Sequence, residues 1–315
     1  MTAEIKAGIG AVAWVAFIVA RVPDLRGEAW AHGLLLFAAL VLVPLALGLF
    51  SEGQATAGAP ERIMQAVARA QLPAALLLVV SCWLAPGPLA ATAAIPWVAL
   101  MFGLGVAGGW RVRRGGWQRG LDGLASDAAL VFSAVGAVWT LMDRAGYRPM
   151  KFDGAIVTLT AVHFHYSGFL LPLAAGLVQR ELFFMKLASQ AVVGVVLGVP
   201  AVALGIMATQ AGWPPGIEAG AGCGLALAGM AVGILQVRIA VESRRPAVTR
   251  LLLGVAGVSL FFGMVLAALY AIRSSVVLVP GLGIPQMRML HGTLNAIGFG
   301  LGGVLAWRRM ALPRG

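Results

Sequence analysis

Two of the four histidines in this 315-residue sequence lie close together in the segment TLTAVHFHYSG, residues 158–168. A neutral imidazole can take up and release a proton near neutral pH, which suits acid–base catalysis in apolar surroundings. Residues two apart point about 200° apart around an α-helix, so His163 and His165 cannot both face one substrate from a regular helix. We predict that one of them is catalytic, with Tyr166 and Ser167 as substrate-binding groups. The alternative is that both histidines only bond to neighbouring helices.

A second candidate site opens the last apolar run. Arg288, His291 and Asn295 are spaced by three and four residues, so they share one face of a helix. Gly298 and Gly302 follow, and their small size predicts close packing against another helix. A cation, an imidazole and an amide above such a crossing could form the floor of a pocket. The alternative is an interfacial arginine that reaches for water, beside two side chains bonded to a neighbouring helix.

A third group, Asp24, Glu28 and His32, is spaced by four residues at the start of the second apolar run. A carboxylate one helical turn from an imidazole can orient the ring, so Glu28 and His32 are candidate substrate-binding residues. A helix start that lies in water would explain the same spacing without any function, and we favour that interpretation.

These side chains must be held by membrane-spanning helices. Only 11% of the residues are Asp, Glu, Lys or Arg, against about 25% in a soluble domain. Runs of about 20 apolar residues are long enough to cross a bilayer. The sequence predicts an all-α, polytopic transmembrane helical bundle, a single integral membrane domain over 1–315, in contact with the lipid bilayer of the cytoplasmic membrane. The ten predicted spans lie near 5–21, 30–50, 69–86, 92–110, 124–142, 154–178, 187–209, 217–237, 249–271 and 288–307.

The distribution of Lys and Arg predicts the orientation. With both termini in the cytoplasm, 16 of the 23 cations fall on the cytoplasmic side and 7 on the outer side, as the positive-inside rule requires. All four histidines then lie toward the outer face. The net charge of +11 is spread over short gaps between apolar runs, whereas nucleic-acid binders concentrate cations on one soluble face. We therefore expect no nucleic-acid partner.

Several kinds of chemistry lack their usual residues. There is no Walker lysine motif, no GxSxG and no HExxH in the sequence. We expect no acidic side chain securely at mid-membrane, which argues against the usual coupling groups for protons or sodium. Cys82 and Cys223 lie in apolar runs and are expected to be free thiols. We predict no metal and no cofactor, although two histidines on facing helices could ligate haem axially. We recognise no internal repeat, and two five-span halves remain possible.

Two segments resemble the YndJ-like membrane proteins. They are LTAVHFHYSGFLLPLAAGL, residues 159–177, and HGTLNAIGFGLGGVLAW, residues 291–307. That family has a histidine-rich motif in its sixth span and a histidine–asparagine motif near the carboxyl end. The resemblance covers mainly the second half of the chain. Members are often labelled transporters, and the resemblance implies that the two histidine-containing segments above belong to the recognisable part of the family.

We interpret these features as one outward-facing site. Its predicted catalytic residues are His163 or His165, with His291 and Asn295. Its predicted substrate-binding residues are Arg288, Ser167, Tyr166, Glu28 and His32. The first hypothesis is a membrane-embedded enzyme that isomerises, cyclises or hydrolyses a lipid-soluble small molecule by acid–base chemistry. The second is a small-molecule transporter or binding protein of the YndJ-like type that uses the same residues. The expected lack of carboxylates at mid-membrane favours the enzyme, while a purely structural membrane protein is a third possibility. The oligomeric state is left open.

Overall fold

The computed structural model describes residues 1–24, 27–50, 58–115, 120–274, 276 and 278–311. Within these ranges the chain is helical, without strands, and ten helices are long and apolar enough to cross a membrane. The predicted multi-pass helical bundle is confirmed. The helices are α1 (Ala3–Ala20), α2 (Ala29–Phe50), α3 (Ala59–Trp83), α4 (Pro88–Gly115), α5 (Gly120–Ala145), α6 (Gly154–Glu181), α7 (Lys186–Gln210), α8 (Gly216–Glu242), α9 (Ala247–Ser274) and α10 (Ile284–Ala311).

Local sequence signals explain several helix ends. The side chain of Thr2 accepts a hydrogen bond from the backbone N–H of Ile5 at the start of α1. Asp153 does the same for Ala155 at the start of α6, at 2.8 Å, as is typical of an aspartate at an N-cap. After α5 the chain turns at Gly146, whose φ of +73° favours glycine. The side chain of Asp24, and the cations Arg26, Arg119 and Arg314, lie outside the described residues.

Three of the helices are interrupted by π-helical turns. These turns run over Ala38–Leu42 in α2, Phe164–Leu170 in α6 and Leu294–Gly302 in α10. A π-turn inserts an extra residue, re-aims the side chains that follow, and occurs often at functional sites. In α6 it begins directly after His163, so the helix is not regular between the two predicted histidines.

The chain divides into two compact units, which are described separately. Unit 1 comprises residues 1–118 and 126–170, and it contains His32, His163 and His165. Nearly the whole of α2 is buried in this unit, as expected for a helix that is apolar on all sides. Unit 2 comprises residues 119–125 and 171–315, and it contains His291 and Asn295. That the two units make a single integral membrane domain stays a prediction.

Candidate functional site

A buried polar cluster in unit 1 joins the start of α2, the end of α5 and the start of α6. It consists of His32, Asp143, Arg144 and Thr158, which are 6%, 3%, 1% and 1% exposed. Nε2 of His32 lies 3.1 Å from Oδ2 of Asp143. Nη1 of Arg144 lies 3.3 Å from the same carboxylate oxygen. The hydroxyl of Thr158 donates a short hydrogen bond to the other oxygen, Oδ1. The carboxylate of Asp143 is therefore the centre of the cluster.

Arg144 also ties this cluster to the end of α3. Its Nη2 donates to the backbone carbonyls of Ser81, at 3.0 Å, and Leu84, at 2.7 Å. The last carbonyls of a helix have no partner within the helix, so a guanidinium here caps α3. In return, the N–H of Gly87 donates to the carbonyl of Arg144 at 2.8 Å. The guanidinium thus compensates the charge of Asp143 and fixes the end of a neighbouring span at the same time.

The ring of His32 has two possible hydrogen-bond partners within the cluster. Nε2 of His32 lies between a permanent donor, Nη1 of Arg144 at 3.2 Å, and an acceptor, Oδ2 of Asp143 at 3.1 Å. A neutral ring with a lone pair on Nε2 accepts from Arg144, whereas a ring with a proton on Nε2 donates to Asp143. The tautomer of His32 therefore decides which partner it takes.

This cluster corrects one expectation. A helix start in water describes Glu28, which is exposed, but it is wrong for His32, which is buried against Asp143. Asp127 and Asp143 of α5 are also buried, at 1% and 3% exposed, but they lie near the two ends of that helix, so the expectation that no acidic side chain lies at mid-membrane stays a prediction. The predicted fifth span ends just before Asp143 and Arg144, whereas α5 continues through both. An adjacent acid and base at the end of a span is the signal that could have identified them.

A second buried ion pair lies toward the other end of unit 1. Nε of Arg111, at the end of α4, is 2.8 Å from Oδ1 of Asp127 on α5, and both side chains are buried. Beside this pair is a cavity of about 390 Å³ whose lining includes Lys6, Phe50, Glu61 and Arg111. These residues lie at the start of α1, the end of α2, the start of α3 and the end of α4. The cavity and the cluster around Asp143 are thus at opposite ends of the same helices.

The two histidines of α6 have different surroundings, and a catalytic role for either of them stays a prediction. His165 is 2% exposed, its Nδ1 bonds to the carbonyl of Ala161 at 2.8 Å, and its Nε2 accepts from the indole N–H of Trp97 at 3.2 Å. Both ring nitrogens are therefore engaged within unit 1, which indicates a structural role. The ring of His163 is exposed on the helix surface, and its Nδ1 bonds to the carbonyl of Leu159 at 2.8 Å.

The predicted substrate-binding residues of α6 are also accounted for. The hydroxyl of Tyr166 is buried and donates to the carbonyl of Leu34 on α2 at 2.9 Å. Ser167 is half-buried in the π-helical turn. Tyr166 thus connects α6 to α2 within unit 1, and its role in substrate binding stays a prediction.

The second candidate site is assembled within unit 2. Nδ1 of His291 lies 2.7 Å from the carbonyl of Gly263 on α9. Nδ2 of Asn295 donates to the carbonyl of His291 at 2.8 Å. Arg288 is 7% exposed, one turn before His291. The polar face predicted for α10 therefore packs against α9, whereas the convergence of His291 and Asn295 with the histidines of α6 stays a prediction.

The glycine stripe of α10 lies against the same neighbour. A methyl group added at Gly298 would overlap Ser259 of α9. One added at Gly302 would lie 3.3 Å from the carbonyl of Leu252. The predicted close packing of this stripe is confirmed.

The donor set offers little to a metal ion. Among the described residues, no three side chains of His, Cys, Asp or Glu come together in a way that could hold one. Cys82 and Cys223 are free thiols, as predicted.

Comparison with known proteins identifies the family. The family model described as YndJ-like protein matches residues 33–299, which begin directly after His32 and include Asp143, His165 and Asn295. A relative from Bacillus subtilis (strain 168), named "Uncharacterized membrane protein YndJ", is 28% identical over 190 residues. That match covers 57% of this chain and 31% of the length of the relative. No solved structure matches the chain. Since the family model covers most of the sequence, the chain belongs to the YndJ-like protein family.

Proposed function

We propose that this protein transports a small molecule across the cell membrane and couples that transport to a proton taken up by His32. The observation that carries the proposal is the position of His32 Nε2, 3.1 Å from Asp143 and 3.2 Å from Arg144. Buried ionisable side chains within membrane spans are costly and usually mark ion or proton pathways. Asp127 and Asp143, the two buried carboxylates of α5, are groups that could take part in such a pathway.

The coupling would follow from a change of partner. When His32 is neutral, Arg144 binds both Asp143 and the last carbonyls of α3. A proton on His32 makes the imidazolium a competitor for Asp143 and places a second positive charge beside Arg144. Both effects weaken the hold of Arg144 on Asp143 and on the end of α3. Protonation would thereby shift the balance between two arrangements of this end of unit 1.

The cavity at the opposite end of unit 1 fits this scheme. The polar cluster joins the start of α2, the end of α3 and the end of α5. The cavity of about 390 Å³ lies at the opposite ends of α2 and α3, where the start of α1 and the end of α4 also line it. This volume falls in the usual range for small-molecule sites. With both termini in the cytoplasm, the cavity would lie at the cytoplasmic ends of these helices and the cluster at their outer ends. Within unit 1, a small molecule and a proton would then be bound at opposite ends of the same helices.

An enzyme acting on a lipid-soluble small molecule is the second candidate. His32 and Asp143 also form an acid–base pair, and they lie near the predicted outer face, where a lipophilic substrate could arrive from the bilayer. The reaction would be an isomerisation, a cyclisation or a hydrolysis. The transporter is preferred because Arg144 occupies the side of His32 that a substrate would need.

Uptake into proteoliposomes tests the proposal. The purified protein is reconstituted, a pH gradient is imposed, and a pool of small metabolites is offered outside. Mass spectrometry of the vesicle contents should find a compound that accumulates only while the gradient lasts and only with protein present. Accumulation that is unaffected when the gradient is collapsed would contradict proton coupling. Conversion of a compound into a product, without accumulation, would establish the enzyme instead.

A further inference from the structure

The helix bounds repeat along the chain. Helices α2, α3, α4 and α5 begin at positions 29, 59, 88 and 120, and α6, α7, α8 and α9 begin at positions 154, 186, 216 and 247. The offset between each helix of the first group and its counterpart in the second is nearly constant. Helix α10 begins at position 284, at almost the same offset from α6, and so opens a third copy. This four-helix repeat is not recognisable in the sequence.

The irregular turns fall at the same place in each copy. The π-helical turns are in α2, α6 and α10, which are the first helices of the three copies. In α2 the π-turn ends two residues before PLALGL (44–49), and in α6 it ends two residues before PLAAGL (172–177). Interrupted spans at corresponding positions of a repeat are the best pointer to a binding site in a transporter.

Close contacts inside each unit match as well. In unit 1, a methyl group added at Gly168 would lie 3.2 Å from Cβ of Phe132, and one at Gly136 would lie 3.1 Å from Nδ1 of His165. These contacts join α5 to α6.

The same pattern joins α9 to α10 in unit 2. A methyl group added at Gly298 would overlap Ser259, and one at Gly263 would lie 2.7 Å from Nδ2 of Asn295. The contacting residues are also equally spaced along the helices of the two units. Phe132 and Gly136 of α5 correspond to Ser259 and Gly263 of α9, and His165 and Gly168 of α6 correspond to Asn295 and Gly298 of α10. Asn295 is therefore the counterpart of His165.

The two counterparts make the same first hydrogen bond and differ in the second. Nδ1 of His165 and Nδ2 of Asn295 each bond to the carbonyl four residues earlier, both at 2.8 Å. This bond fixes the orientation of the Asn295 amide, because its oxygen could not face a carbonyl. Nε2 of His165 then accepts from Trp97. Oδ1 of Asn295 is buried and has no hydrogen-bond partner among the described residues.

The missing donor is explained by the residue that replaces Trp97. Gly105 on α4 packs against α5, and Gly233 on α8 packs against the corresponding positions of α9. Gly233 is therefore the counterpart of Gly105, and this pair aligns the sequence of α8 with that of α4. Trp97 and Leu225 precede these two glycines by the same number of positions, so Leu225 is the counterpart of Trp97. Leucine has no N–H and is smaller than tryptophan. The second copy thus keeps the acceptor and lacks the donor.

The geometry points to a ligand site at Asn295 in unit 2, which takes a planar heteroaromatic compound whose ring N–H donates to Oδ1, as the indole of Trp97 donates to His165 in unit 1. A buried acceptor without a partner is costly, so a donor that enters the site would be favoured. This inference goes beyond the proposed transport function, because it names a class of ligand and does not depend on proton coupling.

Gln236 is a second buried side chain of unit 2 whose polar atoms lack hydrogen-bond partners among the described residues, and it lies near α10, the helix that carries Asn295. Gln236 of α8 is fully buried, and neither its amide oxygen nor its amide nitrogen has a hydrogen-bond partner in the described part of the chain. Its Nε2 lies 3.9 Å from the place of a methyl group at Gly303, two turns beyond Asn295 on α10. The counterpart of Gln236 in the first copy is Gly108, which has no side chain. The α8–α10 side of unit 2 therefore offers further polar groups to a ligand.

Thermal unfolding in detergent with indole and 1-methylindole as probes tests this site. Indole at saturation should raise the unfolding midpoint of the wild-type protein by about 2–4 °C. 1-Methylindole, which has no N–H, should raise it much less. The difference should vanish in Asn295→Leu, which lacks the acceptor. It should also vanish in Leu225→Trp, which restores at the matching position of α8 the indole that the first copy carries at Trp97.

The outcomes are decisive in both directions. Equal shifts with the two probes, or no shift with either, would overturn the site and leave Oδ1 to a buried water. If Asn295→Leu does not fold, Leu225→Trp decides alone, because a folded variant that still distinguishes the two probes would also overturn the site. The assay measures stability only, so its result is independent of whether the protein carries protons.

Discussion

The imidazole of His32 on α2 lies 3.1 Å from the carboxylate of Asp143 on α5, although 111 residues separate them in the chain. Arg144, the next residue along α5, contacts both groups, at 3.2 and 3.3 Å. The three side chains are almost fully buried. A buried acid and base of this kind need one another, because either one alone would be an uncompensated charge.

The first prediction concerns that compensation. Arg144→Met should destabilise the protein by about 3–5 kcal/mol, since it leaves Asp143 without its permanent counter-charge and α3 without its cap. Arg148→Met is the matched control, because Arg148 is exposed four residues further on and its loss should cost about 0.5 kcal/mol or less. Thermal unfolding of both variants in detergent measures the difference. Equal stability of the two would mean that Arg144 does not hold the cluster together.

The second prediction concerns the packing of α10 on α9. Gly298→Ala should cost about 1–3 kcal/mol, because the added methyl group overlaps Ser259. Gly220→Ala, in α8, is the control: no described atom of another residue lies within 4 Å of its added methyl group, and alanine is the better helix former by about 0.5–1 kcal/mol. The unfolding midpoint should therefore fall in the first variant and hold or rise in the second. A Gly298→Ala protein as stable as wild type would contradict the close helix contact.

The third prediction separates the two histidines of α6. His165→Ala removes the partner of the Trp97 N–H and leaves a cavity, so it should lower stability by about 2–4 kcal/mol. His163→Ala changes an exposed ring and should lower stability by less than about 1 kcal/mol. Trp97→Phe should resemble His165→Ala in direction, because it leaves Nε2 of His165 without its donor. Similar losses for both histidines, measured by thermal unfolding in detergent, would argue against a structural role that is specific to His165.

The fourth prediction concerns orientation. Reporter fusions at the two termini should both report the cytoplasm, because the cytoplasmic side then holds 16 of the 23 cations. One of the outer cations, Arg144, is buried at the end of α5 and is not a loop residue. Leaving it out of the count makes the excess on the cytoplasmic side larger, so the asymmetry is preserved. An amino terminus outside the cell would exchange the sides of the membrane on which the cavity and the cluster lie, and a carboxyl terminus outside would mean that a span has been miscounted.

The sequence is a good guide to the spans and a poor guide to the cluster. Ten apolar runs predict ten helices because a bilayer imposes one length on every span. Local spacing assigns His32 to a helix start in water because its nearest acid in the sequence is Glu28, while its actual partner is 111 residues away. No rule of local spacing can bring α2 and α5 together. The π-turn after His163 is equally hidden, because the apolar pattern around it is continuous.

The repeat is hidden for a different reason. Only the segments PLALGL and PLAAGL are similar by eye, and apolar residues interchange freely in membrane helices. Helix bounds, π-turns and glycine contacts remain comparable where the residues differ. The pairing of Asn295 with His165 therefore emerges from contacts and could not emerge from residue identity.

The most direct test of the account is proton-driven uptake by Asp143→Asn proteoliposomes, with Asp153→Asn as the control. Asparagine keeps the shape of Asp143 but cannot compete for the proton or balance Arg144, whereas Asn at position 153 remains a good N-cap. With a transported compound found as described above, the account predicts that Asp143→Asn loses gradient-driven accumulation and Asp153→Asn retains it. Wild-type accumulation by a folded Asp143→Asn protein would contradict the central claim that the His32–Asp143 pair couples transport to a proton.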